Sequence, residues 1–277
     1  MNPFKALFEL ISLNIKYLPQ SFSMAGSDLK KRYSGSMFGW AWAVVRPLVF
    51  VGVYWFAMSV GIRGNKPITL ADGREVSYMM WMIPGVITWF ILQETLSSGV
   101  MCVRRNEHLV KKMVFPIGTI PVFSVIGYYF SHILMIVFAF IVLGAGGYIS
   151  IYALQLPFYF ILFFFFNCTV ATFISALGVV SRDFEQLIKA VMNVFFWMSP
   201  VLWQLDGKNI KSKVLEYIIK INPYNFFVNG YREAFLGGKW FWEHPVYTLY
   251  TIGFILVFAL FTAILYKKLA PEFADVL

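Results

Sequence analysis

The chain has 277 residues, of which 59% are hydrophobic and 13% are charged, with a formal net charge of +9 and a mean hydropathy of +0.69. Soluble domains are about 45–50% apolar and about 25% charged, so this composition excludes an ordinary soluble domain and indicates a membrane protein. In such a protein cytoplasmic loops and anionic headgroups explain the positive charge, and nucleic acid is not expected as a partner.

The first predicted element is an amphipathic helix over residues 2–18, inside a cytoplasmic segment that covers residues 1–34. The segment contains charges and no unbroken apolar core, so we expect no cleavable signal. Apolar side chains recur at helical spacing, which is typical of a helix that lies along the inner membrane surface. The members of this apolar stripe are Phe4, Leu7, Phe8, Ile11, Ile15 and Leu18.

Six apolar runs follow, and they predict an all-α integral membrane protein with a transmembrane domain over residues 35–277. A span needs about 20 apolar residues. The predicted spans lie near residues 37–62, 78–101, 118–144, 156–180, 187–205 and 245–266. Residues 113–181 contain no Asp, Glu, Lys or Arg, and Gly and Pro residues at 144–157 divide this run into two spans. The fifth run is short and is interrupted by Pro200.

Six spans place both termini on one side, and the loop charges indicate the cytoplasmic side. Thirteen Lys and Arg residues then lie inside and nine outside, six of these nine in the long segment 206–243. That segment contains an uncharged stretch, residues 221–231, which is too short to span. We expect it to form a re-entrant or interfacial helical hairpin on the outer face.

Two charged residues, Arg46 and Glu94, lie inside predicted spans. Unpaired charges at that depth are costly, so we expect both to face the protein interior and to pair with each other. The alternative for Arg46 is that its side chain reaches the inner headgroups.

Two charged segments, residues 104–113 and 181–186, follow the second and fourth predicted spans on the cytoplasmic side. They are either solvated connectors or a docking surface for a soluble partner. The chain has no phosphate-binding Gly-x4-Gly-Lys-Ser/Thr motif and no metal-ligand spacing among its three histidines. We therefore expect no catalytic residue, metal or cofactor in this chain.

Several short motifs, in a fixed order, resemble the membrane subunit of ABC-2 type exporters of lipid-linked polysaccharides. They begin with Asp-Leu-Lys-Lys-Arg-Tyr at 28–33, Gly-Trp-Ala-Trp at 39–42 and Arg46-Pro47. Leu-Val-Lys-Lys-Met-Val-Phe-Pro at 109–116, Arg182-Asp183, Ser-Pro-Val at 199–201 and Asn-Pro-Tyr at 222–224 with Arg232 follow, and a C-terminal Lys-Lys-Leu-Ala-Pro-Glu-Phe-Ala-Asp completes the set. Tyr-Trp-Phe at 54–56 and Gly-Ile-Arg-Gly at 61–64 look most like the teichoic acid members among the O-antigen, capsule and teichoic acid exporters.

The resemblance implies a homodimer in the bacterial plasma membrane with two copies of a separate ATPase, which binds ATP and Mg. The amphipathic helix would be a gate helix at the inner boundary, and the outer hairpin would cap the exit. The two charged segments would couple to the ATPase through Asn106, Glu107, His108, Leu109, Lys111, Lys112, Phe115, Arg182, Asp183 and Glu185.

The implied cargo is a polar polymer on a polyprenyl diphosphate lipid, and aromatic side chains suit a path along which sugar rings slide. The candidates for this path or its gate are Tyr33, Trp40, Trp42, Tyr54, Trp55, Trp89, Phe195, Phe196, Trp197 and Trp203. Interfacial belts and helix packing are the alternative for each of them. Lys30, Lys31 and Arg32 are candidates to attract the diphosphate, or they are ordinary positive flanks of the first span.

Two other functions stay open at this point. The first is an ABC-2 exporter of a drug or small lipid, which needs a closed apolar pocket in place of an aromatic-lined channel. The second is a membrane enzyme that acts on polyprenyl-linked sugars, which needs convergent acids or histidines near a headgroup plane.

Overall fold

The computed structural model describes residues 2–62, 66–70, 72–111, 116–204 and 213–273, and nearly all of them are helical. Helix α1 spans Pro3–Lys16, and helix α2 spans Leu18–Tyr33. Asn2 caps α1, because its side-chain oxygen accepts a hydrogen bond from the backbone N–H of Phe4 at 3.0 Å. The predicted amphipathic helix is thus confirmed as a helix, and α2 is an additional element.

Helix α1 turns its apolar stripe away from the rest of the chain. Phe4, Phe8 and Ile15 are exposed. On the opposite face Ala6 is fully buried and Leu10 packs against Gly118. A helix that attaches by one face and presents apolar side chains on the other has the form expected of an element between protein and lipid.

Five helical segments within the described residues are long and apolar enough to cross a membrane. They are Trp42–Gly61, Tyr78–Gly99, Ile117–Ala145, Ile151–Val180 and Pro245–Leu269. The helices in them are α3 (Trp42–Phe56, continued by a π-helical segment Ala57–Ile62), α4 (Tyr78–Gly99), α7 (Ile120–Ala145), α8 (Leu156–Val180) and α12 (Pro245–Leu269). The predicted break between the third and fourth spans is confirmed, since α7 ends before Gly146 and Gly147 and α8 begins just before Pro157.

The fifth predicted span, residues 187–205, is not confirmed. Helix α9 covers Asp183–Met198 and ends at Ser199, before Pro200. Sixteen helical residues extend about 24 Å, which is less than the hydrocarbon thickness of about 30 Å. Residues 205–212 lie outside the described part of the chain.

Helix α4 lies in the middle of the bundle, in contact with α3, α7, α8 and α9. It is the most deeply buried of the five spanning segments. Helix α11, Tyr224–Leu236, packs against both α4 and α8, and nearly all of its side chains are buried. A short helix, α10, covers Lys213–Ile221. The uncharged stretch, residues 221–231, is therefore helical from Tyr224 onward and packs inside the protein, whereas the predicted hairpin on the outer face is not confirmed.

A two-stranded hairpin closes one end of the bundle, which we call the hairpin end. Strands β1 (Ile68–Thr69) and β2 (Glu75–Val76) are antiparallel. Arg74 donates a hydrogen bond at 2.6 Å to the carbonyl oxygen of Leu236, at the end of α11. The backbone N–H and the side chain of Arg74 also hydrogen-bond Asp72, which lowers the pKa of that carboxyl.

Arg232 on α11 is a buried cation that holds this end together. Its guanidinium donates to the carbonyl oxygens of Pro200 at 2.8 Å and Val201 at 2.6 Å, and it lies 3.5 Å from the ring centre of Trp81. These contacts join α11 to the turn after α9 and to the start of α4. They explain why Arg232 stands in an otherwise apolar helix face.

The opposite end, which we call the N-terminal end, contains α1 and two short helices. Helix α5 spans Cys102–Arg105 and helix α6 spans Glu107–Lys111. A small apolar cluster joins them to the ends of α8 and α12, with the members Cys102, Val103, Ile120, Phe123, Ala176, Val179, Tyr266 and Phe273.

Candidate functional site

An ion pair between Arg32 and Glu94 lies at the centre of a polar pocket. Arg32 lies in the last turn of α2, and its guanidinium forms a salt bridge with Glu94 on α4 and lies 4.9 Å from the ring centre of Tyr128. Asp28, one turn earlier on α2, is 3.7 Å from the guanidinium. Burial lowers the pKa of Arg32, but Glu94 and, to a smaller extent, Tyr128, Asp28 and Tyr33 together outweigh it, so the net shift is upward and the cation stays charged.

The pocket has a volume of about 190 Å³ and lies between α2, α3, α4 and α7. Its walls include Arg32, Tyr33, Trp42, Arg46 and Glu94. The sequence assigned these five residues to a diphosphate site, a substrate path and an intramembrane charge pair. The fold brings all three groups to one place.

Helix α7 adds polar side chains that sequence reasoning did not assign to the site. Ser131 lies 3.4 Å from the Tyr33 hydroxyl, and His132 is hydrogen-bonded through Nε2 to the Tyr231 hydroxyl at 2.8 Å. Both residues line the pocket. The available signal was the Ser-His pair itself, which stands in a run of 69 residues without Asp, Glu, Lys or Arg.

The predicted pairing of Arg46 with Glu94 is wrong. Glu94 pairs with Arg32, whereas the Arg46 guanidinium lies 5.9 Å from the ring centre of Trp42, one turn away on the same helix. The physical reason is that α2 packs along α7, which places Arg32 beside the face of α4 that carries Glu94. Arg46 is exposed. Lys30 and Lys31 are also exposed, on the last turn of α2.

Four of the predicted path residues pack together inside the chain. Trp89 is only 3% exposed, and its ring centre lies 4.7 Å from that of Phe196 and 6.4 Å from that of Phe195. Tyr54 lies 5.7 Å from Phe196. In the single chain these rings form part of the core between α3, α4 and α9, and Trp89 meets no open path.

The remaining predicted path residues are placed differently. Trp197 on α9 is 56% exposed, and Trp55 on α3 is partly buried. Trp203 donates a hydrogen bond at 3.1 Å to the carbonyl oxygen of Trp197. Of Trp40 the structure describes only the backbone, within the 3₁₀ turn Gly39–Ala41.

The exposed faces of the helices differ in polarity. All exposed side chains of α7 and α8 are apolar. In contrast, α3 exposes Arg46, and α9 exposes Lys189 and Asn193 along with its apolar residues. Lipid disfavours such polar side chains, so the face made by α3 and α9 differs chemically from the lipid-compatible faces.

The first predicted coupling segment folds as α5 and α6. Glu107 and His108 are exposed on α6, and Leu109 packs against the small apolar cluster at this end. Asn106 joins the two helices, and its side chain donates to the carbonyl oxygen of Cys102 at 2.9 Å. Of Lys111 only the backbone is described, and Lys112 and Phe115 lie outside the described residues.

The second predicted coupling segment begins α9. The backbone N–H of Asp183 donates to the Ser181 hydroxyl oxygen at 3.1 Å, and Arg182 and Asp183 are exposed. Glu185 forms a salt bridge with Lys189 at 2.7 Å, and this hydrogen bond lowers the pKa of the Glu185 carboxyl.

Arg104 and Gly178 join these two segments, and neither was predicted to do so. Arg104 donates from Nε to the carbonyl oxygen of Gly178 at 2.8 Å and from Nη2 to that of Val179 at 2.6 Å. These are carbonyls of the last turn of α8, which have no partner within the helix. Gly178 also lets the backbone of Val100 approach α8 more closely than any side chain would allow. Both segments are therefore attached to the same end of α8.

Comparison with known proteins gives a consistent result over almost the whole chain. A family model described as ABC-2 type transporter matches residues 19–236. The O-antigen export system permease protein RfbA of Klebsiella pneumoniae is 27% identical over 275 residues, which are 96% of this chain and 100% of that protein. A second Klebsiella pneumoniae protein of the same description is 26% identical over 92% of this chain and 93% of its own length. The corresponding protein of Myxococcus xanthus is 21% identical over 97% of this chain and 99% of its own length.

Proposed function

The chain belongs to the ABC-2 type transporter family, and from this premise we propose that it is the membrane subunit of an ATP-driven polysaccharide exporter. The observation that carries the proposal is the similarity to O-antigen export permeases over the full length of those proteins. The cargo would be an O-antigen or teichoic acid type of polymer on a polyprenyl diphosphate. A separate ATPase subunit would hydrolyse ATP, and this chain would supply the path.

We place both termini in the cytoplasm, so that the N-terminal end of the bundle faces the ATPase and the hairpin end faces outward. In this arrangement α9, with the turn after it, would be a sixth, incomplete span, and α10 and α11 would form the re-entrant outer element. The inward side would then carry thirteen Lys and Arg residues and the outward side nine, in agreement with the positive-inside rule.

Two copies of the chain would form the translocation path between their α3 and α9 faces. Exposed Arg46 and Asn193 support this placement, because a polar side chain is tolerated there if it meets water, glycan or a second subunit. Exposed Trp197 would offer a ring face along which sugars slide.

The Arg32 pocket is the proposed place where the lipid diphosphate is first held. Arg32 is already paired with Glu94. A diphosphate would compete with that carboxylate for the guanidinium through charge-assisted hydrogen bonds. Lys30 and Lys31, exposed on the same turn, would add long-range attraction.

The decisive experiment is reconstitution of the chain with its ATPase in proteoliposomes that contain a polyprenyl-diphosphate-linked polysaccharide. We expect ATP-dependent movement of the glycan to the far side, and ATP hydrolysis stimulated by the glycolipid. If small lipids or drugs stimulate hydrolysis and no glycan moves, the chain is an exporter of another substrate class.

The coupling role predicts a specific separation of transport from hydrolysis. Glu107→Gln should leave most ATP hydrolysis intact and reduce the glycan moved per ATP several-fold, because an exposed carboxylate on α6 would no longer meet the ATPase. Glu75→Gln, an exposed carboxylate on the hairpin at the other end, is the matched control and should have no effect. Equal ratios in both variants would remove α6 from the coupling surface.

A further inference from the structure

Helix α10 presents an exposed apolar stripe, which we call the α10 stripe. Its members are spaced three and four positions apart in the sequence, so they lie on one face of the helix. All of them are at least 50% exposed, and they are Val214, Tyr217, Ile218 and Ile221. Single exposed apolar residues are ordinary, but four adjacent ones on a helix of nine residues indicate an interaction surface.

The C-terminal end of α10 is attached to the protein, which fixes the side that the helix turns outward. Ile219 is buried, and its carbonyl oxygen accepts a hydrogen bond from the side-chain amide of Asn225 on α11. The hydroxyl of Tyr250 on α12 donates to the carbonyl oxygen of Ile221 at 2.6 Å. The α10 stripe cannot rotate toward the protein without breaking these contacts.

The same hydrogen bonds are of the kind that a segment inside lipid requires. The last carbonyl oxygens of a helix have no partner within the helix, and at a wet surface they bind water. Here side chains take that place at Ile219 and Ile221, and the Tyr247 hydroxyl donates at 3.5 Å to the carbonyl oxygen of Asn222, in the turn that follows. In hydrocarbon, backbone polar groups need partners from the protein itself. The end of α10 therefore suits a surrounding with little water.

The α10 stripe continues an apolar surface on α12, which is long and apolar enough to cross a membrane. Tyr250, bonded to the end of α10, stands five residues after Pro245, or about 8 Å along the helix from its start. Its exposed neighbours on α12 are apolar and include Val246 and Leu249. Such a face of a spanning helix contacts lipid, so the α10 stripe lies beside a surface that hydrocarbon covers.

Aromatic residues near the start of α12 indicate the level of the headgroups, because Trp and Tyr favour the membrane–water interface. Trp242, three residues before α12, is exposed, and its ring stacks on that of Trp240 with the centres 4.6 Å apart. Tyr217 on α10 and Tyr250 on α12 are exposed as well. Nine helical residues extend about 14 Å, less than half of the hydrocarbon thickness of about 30 Å, so α10 enters this region without crossing it.

We propose that α10 is a lipid-inserted anchor, whose stripe lies among the acyl chains just below the headgroups at the hairpin end. Apart from the Tyr217 hydroxyl the stripe has no polar group, so it offers little to a hydrated glycan or to water. The face proposed for a second copy, made by α3 and α9, exposes polar side chains and differs in this respect. The anchor goes beyond the proposed function, because it does not depend on the cargo. It would hold the start of α11 at a fixed depth.

The test is fluorescence quenching on the full chain, purified with the subunits that accompany it and placed in phosphatidylcholine nanodiscs. An environment-sensitive fluorophore is attached to Ile218→Cys and is exposed to two quenchers in turn, a lipid with a nitroxide on the upper part of its acyl chain and aqueous iodide. We expect the lipid to quench this label several-fold more than iodide does. Glu75→Cys, at an exposed position on β2, is the control and should show the reverse order. The unaltered chain, with Cys102 buried and Cys168 half-buried, gives the background of labelling.

Two outcomes overturn the inference. If iodide quenches the Ile218→Cys label as strongly as the lipid does, the α10 stripe faces water and belongs to an aqueous path. If neither quencher reaches that label, protein covers the stripe and a second copy of the chain is its occupant. Leu249→Cys, at an exposed position in the second turn of α12, shows that the lipid quencher is active and should be quenched by it in every preparation.

Discussion

Substitution of Gly178 tests how closely the C-terminal end of α8 approaches the C-terminal end of α4. A Cβ on Gly178 would lie 2.9 Å from the carbonyl carbon and from Cγ2 of Val100, and closer still to the carbonyl oxygen. The obstruction is backbone, so it cannot be relieved by a rotamer change. Overpacking of this kind costs about 1–3 kcal/mol, and displacement of the Gly178 carbonyl also weakens the charged hydrogen bond from Arg104. We expect Gly178→Ala to destabilise the chain by about 3 kcal/mol.

The control variant, Gly253→Ala, is expected to stabilise the chain. Gly253 on α12 has no atom within 4 Å of the position of a Cβ, so alanine there gains only helix propensity, up to about 1 kcal/mol. Gly99→Ala is intermediate, since its nearest contact at 3.3 Å is the end of the flexible Ile174 side chain. Thermal unfolding of the purified complex in one detergent should therefore give the highest midpoint for Gly253→Ala, a lower one for Gly99→Ala and the lowest for Gly178→Ala. A Gly178→Ala midpoint at or above that of Gly253→Ala would refute the close approach.

Two further predictions concern side-chain pairs. Arg32→Glu and Glu94→Arg should each reduce glycolipid-stimulated ATP hydrolysis, and the two changes together should restore part of it. Arg46→Glu combined with Glu94→Arg should restore none. If only this Arg46 combination restores hydrolysis, Glu94 pairs with Arg46 and not with Arg32. Arg104→Lys should lower the glycan moved per ATP several-fold, because a lysine ammonium has no fixed planar pair of donors to match the bonds from Nε and Nη2 to the two carbonyls. The exposed Arg105→Lys is its control, and equal values for the two variants would mean that the α8 end needs only a charge.

Hydropathy was sufficient for five of the six predicted spans because each is a long, nearly charge-free run. The fifth run is not confirmed as a span, since the sequence signal continues past Met198 while the helix ends at Ser199, before Pro200. Hydropathy measures the polarity of a segment and not its backbone path, so an apolar turn and an apolar helix look the same.

The sequence marked single residues of the Arg32 pocket, but it did not indicate that they lie together. The sequence marks Arg46 and Glu94 as costly charges, yet which partner each one meets depends on how α2 packs against α7. Helix α2 is polar on average and does not read as a span, so its position against α7 was not predicted. The direction of Trp89 was equally hard to predict, because apolar residues occur on all sides of α4 and its sequence does not indicate which way the ring faces.

Arg104 was visible as one of several charges in a short loop. Its role depends on the carbonyls of residues 178 and 179, which are 74 and 75 positions away in the chain. No local sequence pattern indicates a contact between residues so far apart in the chain. Gly178 likewise stands in a helix where a glycine is ordinarily unfavourable, and only the neighbouring backbone explains it.

The exposed Asn193 on α9 has a consequence for biogenesis. Arg46, one turn into α3, has a side chain long enough to reach headgroups from within lipid, but the short amide of Asn193, midway along α9, does not. Transfer of an unpaired amide from water to hydrocarbon costs about 4–8 kcal/mol. In the proposed assembly of two copies, a newly inserted chain would carry this penalty until it met its second copy. The bilayer itself would then distinguish unassembled subunits from assembled ones, and removal of the amide would make the lone chain more persistent.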